Sequence, residues 1–162
     1  MDVLSDVLRV VRLTSAVFFT ARFSSPWSIE SPPPDQLARS LRLRAESIAL
    51  FHVLVEGRCW VSMEGQAPLK MEAMDVIIFP HGDAHVMSSH LDGSPQPIGT
   101  LLPSQLSEGI PKLDYGGGGE ATRFVCGFLH CDQRFNPLIG SLPTLLWVRG
   151  RDTTGRSEPP GN

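Results

Sequence analysis

An all-β domain, built as an antiparallel sandwich or barrel, is the fold class this sequence predicts, and three observations predict it. From Ser47 onward, short apolar runs rich in β-branched residues alternate with Gly, Pro and Asp turn signals at regular intervals. Glycine and proline together make 29 of 162 residues, well above average usage, as many turns and short strands require. At 41% apolar, with a mean hydropathy of -0.01, a chain of this length can bury one core.

The elements follow in order. Over residues 2–13, Val3, Leu4, Val7, Leu8 and Val11 fall on one face at helical spacing, which predicts an N-terminal helix packed outside the sheets. Residues 14–23, with Val17, Phe18, Phe19 and Phe23, read as a strand. Pro26, Pro32, Pro33 and Pro34 make residues 24–35 a loop or an extended edge. Arg39, Arg42 and Arg44 read as a solvated face. Strands are expected at 48–55, 58–63, 69–72, 75–79 and 84–88, separated by the turns Glu56-Gly57, Glu64-Gly65 and Pro80-His81-Gly82-Asp83. Residues 91–119 read as a long excursion ending in Gly116-Gly117-Gly118-Gly119, a flexible loop reaching to about 121. A phosphate cradle is discounted there, because no Lys-Ser/Thr follows and no helix opens after the run. Another strand is expected at 123–131, and a short helix or turn at 136–148. One domain over 1–149 and a polar tail over 150–162 complete the expectation.

Charge and composition exclude several classes. The formal charge is -3 and the pI about 5.9, whereas an electrostatic nucleic-acid binder is normally basic. Three cysteines, Cys59, Cys126 and Cys131, with no CxxC pair, do not read as a disulfide framework. The opening Met1-Asp2-Val3-Leu4-Ser5-Asp6 lacks the basic start of a secretory signal, and the run at 48–55 is too short to span a bilayer. A soluble protein in the reducing cytoplasm is the expected setting.

Two segments carry the chemistry. In the strand at 48–55, Leu50, His52 and Leu54 share one face, and both faces are apolar, so His52 is desolvated and needs partners for its ring nitrogens. In Pro80-His81-Gly82-Asp83-Ala84-His85, proline ends one strand and glycine allows the turn. The last histidine then opens the next strand. His81 reads as a solvent-facing turn residue, and Asp83 as capping the turn through its carboxylate. Cys126 shares a strand face with Phe124, Phe128 and His130. His130 with Cys131 is a poor metal pair, since neighbours in a strand face opposite ways.

These segments resemble the cupin superfamily. Pro80-x-Gly82-x-x-His85 resembles the close of the second cupin motif, with Met74 standing in the glycine position ahead of Asp75, and Val53-Leu54-Val55-Glu56-Gly57 resembles the end of the first. Phe51 to Trp60, Tyr115 to Gly119 and Val125-Cys126-Gly127-Phe128 are similar to the N-terminal sensor cupin of AraC-type transcription regulators. So are Leu4 to Leu8 and Leu142-Pro143-x-Leu145-Leu146. The resemblance implies a double-stranded, jelly-roll-like antiparallel cupin barrel. It further implies a regulatory domain that binds a small effector inside the barrel and forms a homodimer. The helix-turn-helix half that reads DNA in such regulators is not in these residues, so no direct nucleic-acid binding is expected. The chain reads as an isolated sensor, a truncated regulator or a stand-alone descendant.

The first motif departs from that of enzymatic cupins. Counting back from Gly57, the usual glutamate position holds Leu50, and the two histidine positions fall near Arg44 and Glu46. Only His85 of the usual set remains, so no catalytic residue is assigned. A substitute site is expected from His52, His85 and Cys126, whose two imidazoles and thiolate suit a divalent transition metal, zinc first among them. His52, Trp60, His85 and Phe128 are the expected ligand-binding residues. The rival expectation is a small metal-dependent cupin enzyme.

Overall fold

The structure, a computed structural model, describes residues 13–40, 48–102, 110–131 and 137–150. The helix expected over 2–13 therefore lies outside the described residues except for Leu13, which already belongs to a strand.

Eleven strands are described: β1 (Leu13–Ser24), β2 (Ser28–Ser31), β3 (Ile48–Glu56), β4 (Arg58–Ser62), β5 (Leu69–Glu72), β6 (Val76–Phe79), β7 (His85–Ser88), β8 (Gln96–Pro97), β9 (Lys112–Gly116), β10 (Ala121–Cys131) and β11 (Leu146–Val148). Two short helices join them, α1 (Pro34–Ser40) and α2 (Pro137–Gly140), with a 3-10 turn at Ile98–Thr100. The strands form two sheets, one ordered β11-β6-β3-β10-β1-β9 and the other β5-β4-β7-β2-β8. The fold is thus a mostly β, two-sheet sandwich. Pairing is antiparallel except where β9 runs parallel to β1 and β8 parallel to β2.

The alternation of buried and solvent-facing residues builds the core between the sheets. Along β3, Ile48, Leu50, His52 and Leu54 are buried, while the residues between them are less so. Phe124, Cys126 and Phe128 of β10, Cys59 and Val61 of β4, and Met71, Ile77, Phe79 and Met87 are buried with them. Trp27 packs into the same interior, its ring centroid 4.8 Å from Phe23 and 5.9 Å from Phe124.

The segment 24–35, expected as a loop or an extended edge, is extended in part. Residues 24–35 contain β2, and α1 then opens at Pro34, with the Arg39 guanidinium paired to Asp35 one turn earlier. Arg39 is exposed as expected; Arg42 and Arg44 lie outside the described residues. The Gly116–Gly119 run makes a turn whose backbone is hydrogen-bonded to the end of β1. Gly117 N–H donates to the Ser24 carbonyl at 2.8 Å, Gly119 N–H to the Ser25 carbonyl at 2.8 Å, and Gly118 N–H to Ser24 Oγ at 3.0 Å. A Cβ on Gly116 would stand 1.9 Å from the Ser24 carbonyl oxygen, so glycine is there for close approach.

The turn joining β3 to β4 makes a testable contrast. Gly57 and Gly118 have nearly equal φ, +88° and +87°, but a Cβ on Gly57 would meet the Ala121 carbonyl oxygen at 2.7 Å while one on Gly118 meets nothing within 4 Å. Gly118→Ala is expected to cost about 1 kcal/mol, the left-handed backbone penalty alone. Gly57→Ala adds a steric clash and should cost at least about twice that; equal losses in urea unfolding would refute the clash.

Candidate functional site

The antiparallel register of β3 against β10 sets His52 directly opposite Cys126. The turn after β6 carries the chain from one sheet to the other, so His85, the first residue of β7, faces β3 across the sandwich. Gly82, at φ +68°, makes that turn possible, because a Cβ there would sit 2.6 Å from the Ile48 carbonyl oxygen. All three predicted residues meet: His52 Nε2 lies 2.9 Å from His85 Nε2, and His52 Nδ1 lies 3.0 Å from Cys126 Sγ. His85 Nδ1 lies 2.8 Å from the Asp83 carbonyl oxygen.

These contacts assign the protons. A carbonyl only accepts, so His85 Nδ1 donates and, in the neutral ring, Nε2 accepts. His52 Nε2 must then donate, which leaves its Nδ1 to accept from the Cys126 thiol. The result is a one-way chain: Cys126 S–H to His52, His52 to His85, His85 to the Asp83 carbonyl. Its members are neutral because they are buried. Desolvation holds His52 well below its ordinary 6.5, aided by the neighbouring His85, and pushes His85 down to about 4 against the opposing effect of its bond to Asp83. Burial also pushes the Cys126 thiol up. Cys59, buried on β4, is pushed up to about 12 by burial and then by Asp75. Cys59 and Cys126 are free thiols.

Phe79, the last residue of β6, stacks on His85 with ring centroids 3.7 Å apart and planes 6° from parallel. The sequence gives no spacing signal for this contact. His52 and Cys126 form one wall of a cavity of about 40 Å³. Its other walls include Phe19, Phe23, Leu37, Leu50, Met87, Phe124 and Phe128, and no charged side chain lines it among the described residues. Ser31 also borders it, and sequence reading missed both Ser31 and Met87.

One expected ligand-binding residue stands elsewhere, and two turn residues take the following places. Trp60 does not line this cavity: it alternates with the buried Cys59 and Val61, so its ring faces the other side of β4, where Lys70 Nζ stands 5.7 Å from its centroid. Asp83 holds the site through its main-chain carbonyl, not its carboxylate, whose Oδ2 has no hydrogen-bond partner among the described residues. His81 donates from Nε2 to the Leu142 carbonyl at 2.8 Å.

The expected three-ligand metal set does not fit this arrangement. Cys126 Sγ and His85 Nε2 approach different nitrogens of the His52 ring, so the three donor atoms do not converge on one ion. Among the described residues, no group of three or more His, Cys, Asp or Glu side chains is placed to hold a metal ion.

Comparison with known proteins agrees with the two-sheet architecture. A family model described as Cupin matches residues 2–159, and the chain belongs to that family. Among curated proteins, none matches the chain. No helix among the described residues is long and apolar enough to cross a membrane.

Neutral buried histidines fix the direction of a pH effect. In the unfolded chain both imidazoles take up a proton near pH 6.5, whereas in the folded chain they resist it. Acid therefore favours unfolding, and stability should fall as pH drops from 6.5 toward 4, by about 3 kcal/mol from His85 alone. Thermal melts across this range check it: His85→Gln should flatten the slope, and an unchanged slope would show that His85 is not held neutral.

Proposed function

We propose that this chain is a ligand-sensing and dimerisation cupin domain of the AraC-type regulator kind, taking a small effector into the cavity beside His52, Cys126 and Phe128. The observation that carries this reading is the largely apolar cavity, with no charged side chain among its described walls and a hydrogen-bonded His52–Cys126 pair on one of them. Leu50, in the position where enzymatic cupins place a glutamate, is one of its apolar walls. Binding there can act on a partner surface only if two states of the domain differ in affinity for the effector. Homodimerisation and a cytoplasmic location belong to this reading, as does the absence of direct DNA binding.

The second reading is a stand-alone metal-dependent cupin enzyme. One observation favours it: His52 Nε2 and His85 Nε2 face each other at 2.9 Å, and His85 Nδ1 is anchored on a carbonyl, as the second nitrogen of metal-bound histidines usually is. His52 and His85 are the residues that would hold a divalent ion such as zinc, which would supply Lewis-acid chemistry there.

Elemental analysis of untagged protein, with sedimentation in the presence and absence of small neutral compounds, separates the two readings. The sensor reading expects less than one-tenth of an equivalent of metal, as a rough limit, and a ligand-dependent shift in the monomer–dimer balance. A full equivalent of metal with turnover of any small substrate would overturn it, and so would tight, specific binding of DNA at physiological salt.

A further inference from the structure

The relay on the cavity wall selects a ligand chemistry. This inference rests on the receptor reading above and concerns which molecules that cavity takes. His52 Nδ1 is a buried acceptor and Cys126 S–H a buried donor, 3.0 Å apart on the same wall. They already satisfy each other, so a molecule that parts them must supply a donor to the nitrogen and an acceptor to the thiol, or leave one of them unsatisfied. A hydroxyl does both with one oxygen. No charged side chain lines the cavity among the described residues, so a carboxylate or ammonium would be buried without a counter-charge. The space is small. At about 40 Å³ it takes a few water-sized groups, each requiring roughly 10–15 Å³, and a compact occupant fits it.

We propose that the cavity is a site for a small neutral monohydroxylated compound of the alkanol class, whose hydroxyl inserts between Cys126 and His52. The hydroxyl donates to His52 Nδ1 and accepts from the Cys126 thiol, and the alkyl part packs against Phe128, Leu50 and Met87. The chain to the Asp83 carbonyl then gains one member and keeps its direction. No bond is made or broken in the ligand.

The test uses two isomers of one formula, 1-butanol and methyl propyl ether, of which only the alcohol can donate. Titrations followed by NMR of the ¹⁵N-labelled full chain read both the affinity and the His52 Nδ1 resonance. The alcohol is expected to bind about five- to tenfold more tightly than the ether, the usual net worth of one hydrogen bond. It should move the His52 Nδ1 signal, while butyrate and butylammonium leave it unchanged. His52→Leu should abolish the preference for the alcohol. Should that variant not fold, Cys126→Ala decides, because its free Nδ1 must still favour the alcohol over the ether. Equal binding of the isomers would overturn the hydroxyl inference and leave the receptor reading standing. Binding of no small neutral molecule at all would overturn both.

Discussion

A main-chain carbonyl cannot donate a hydrogen bond, and that restriction orders the interior of this domain. Because His85 Nδ1 meets the Asp83 carbonyl at 2.8 Å, the proton must sit on that nitrogen, and every proton upstream of it is then assigned. Two imidazoles and a thiol, each costly to bury alone, satisfy one another in a line that ends on the backbone. The alternative, charging one member, is opposed by burial at each position. The stacked Phe79 ring fixes the plane of His85 and keeps water from its face.

The two sheets exist, for this purpose, to bring three strands to one point. Register places His52 against Cys126 within a sheet, and the Pro80–Ala84 turn delivers His85 from the other. Remote pieces stiffen this arrangement. Asp75, buried at the turn between β5 and β6, accepts from the backbone of Glu72 and Gly150 and from Trp147 Nε1. It thereby ties the short β11 to β6 and closes one edge of the larger sheet.

Much of this was legible in the sequence, and the misses have physical causes. β3, β4, β5, β6, β7 and β10 were readable because each is bounded by Gly, Pro or Asp and carries its own apolar pattern. The facing of His52, Leu50 and Leu54 followed from strand alternation. The same alternation places Trp60 opposite Cys59 and Val61, so its outward direction was available once those two were counted as core. β9 and β11 were not readable, because short strands are made by partners distant in sequence, β1 for one and β6 for the other. The four-glycine run suggested looseness, yet its glycines serve close backbone contact with β1, a tertiary reason that composition does not display. Convergence of His52, His85 and Cys126 was legible, but the order of their contacts was not. A donor set can be read from spacing, whereas which ring nitrogen faces which partner depends on ring rotation.

Position 74 shows how far a motif can drift while its geometry holds. Met74 occupies the site where the cupin pattern places glycine, and it keeps φ at +75° although its side chain is 63% exposed. Its N–H donates to the Leu54 carbonyl at 2.7 Å, and Leu54 N–H donates to the Asp75 carbonyl at 3.0 Å. Those two bonds bind the turn to β3 and hold the backbone in a region that L-residues disfavour by roughly 1–2 kcal/mol. Position 50 is the opposite case. Leu50, on the cavity wall, stands where the resemblance to enzymatic cupins would place a carboxylate. No charged side chain among the described residues lines the cavity to balance a cation, and in such a low-dielectric space a neutral hydrogen bond is at its strongest. The turn at Met74 is held by its backbone contacts, whereas what the cavity can hold is set by the side chains that line it.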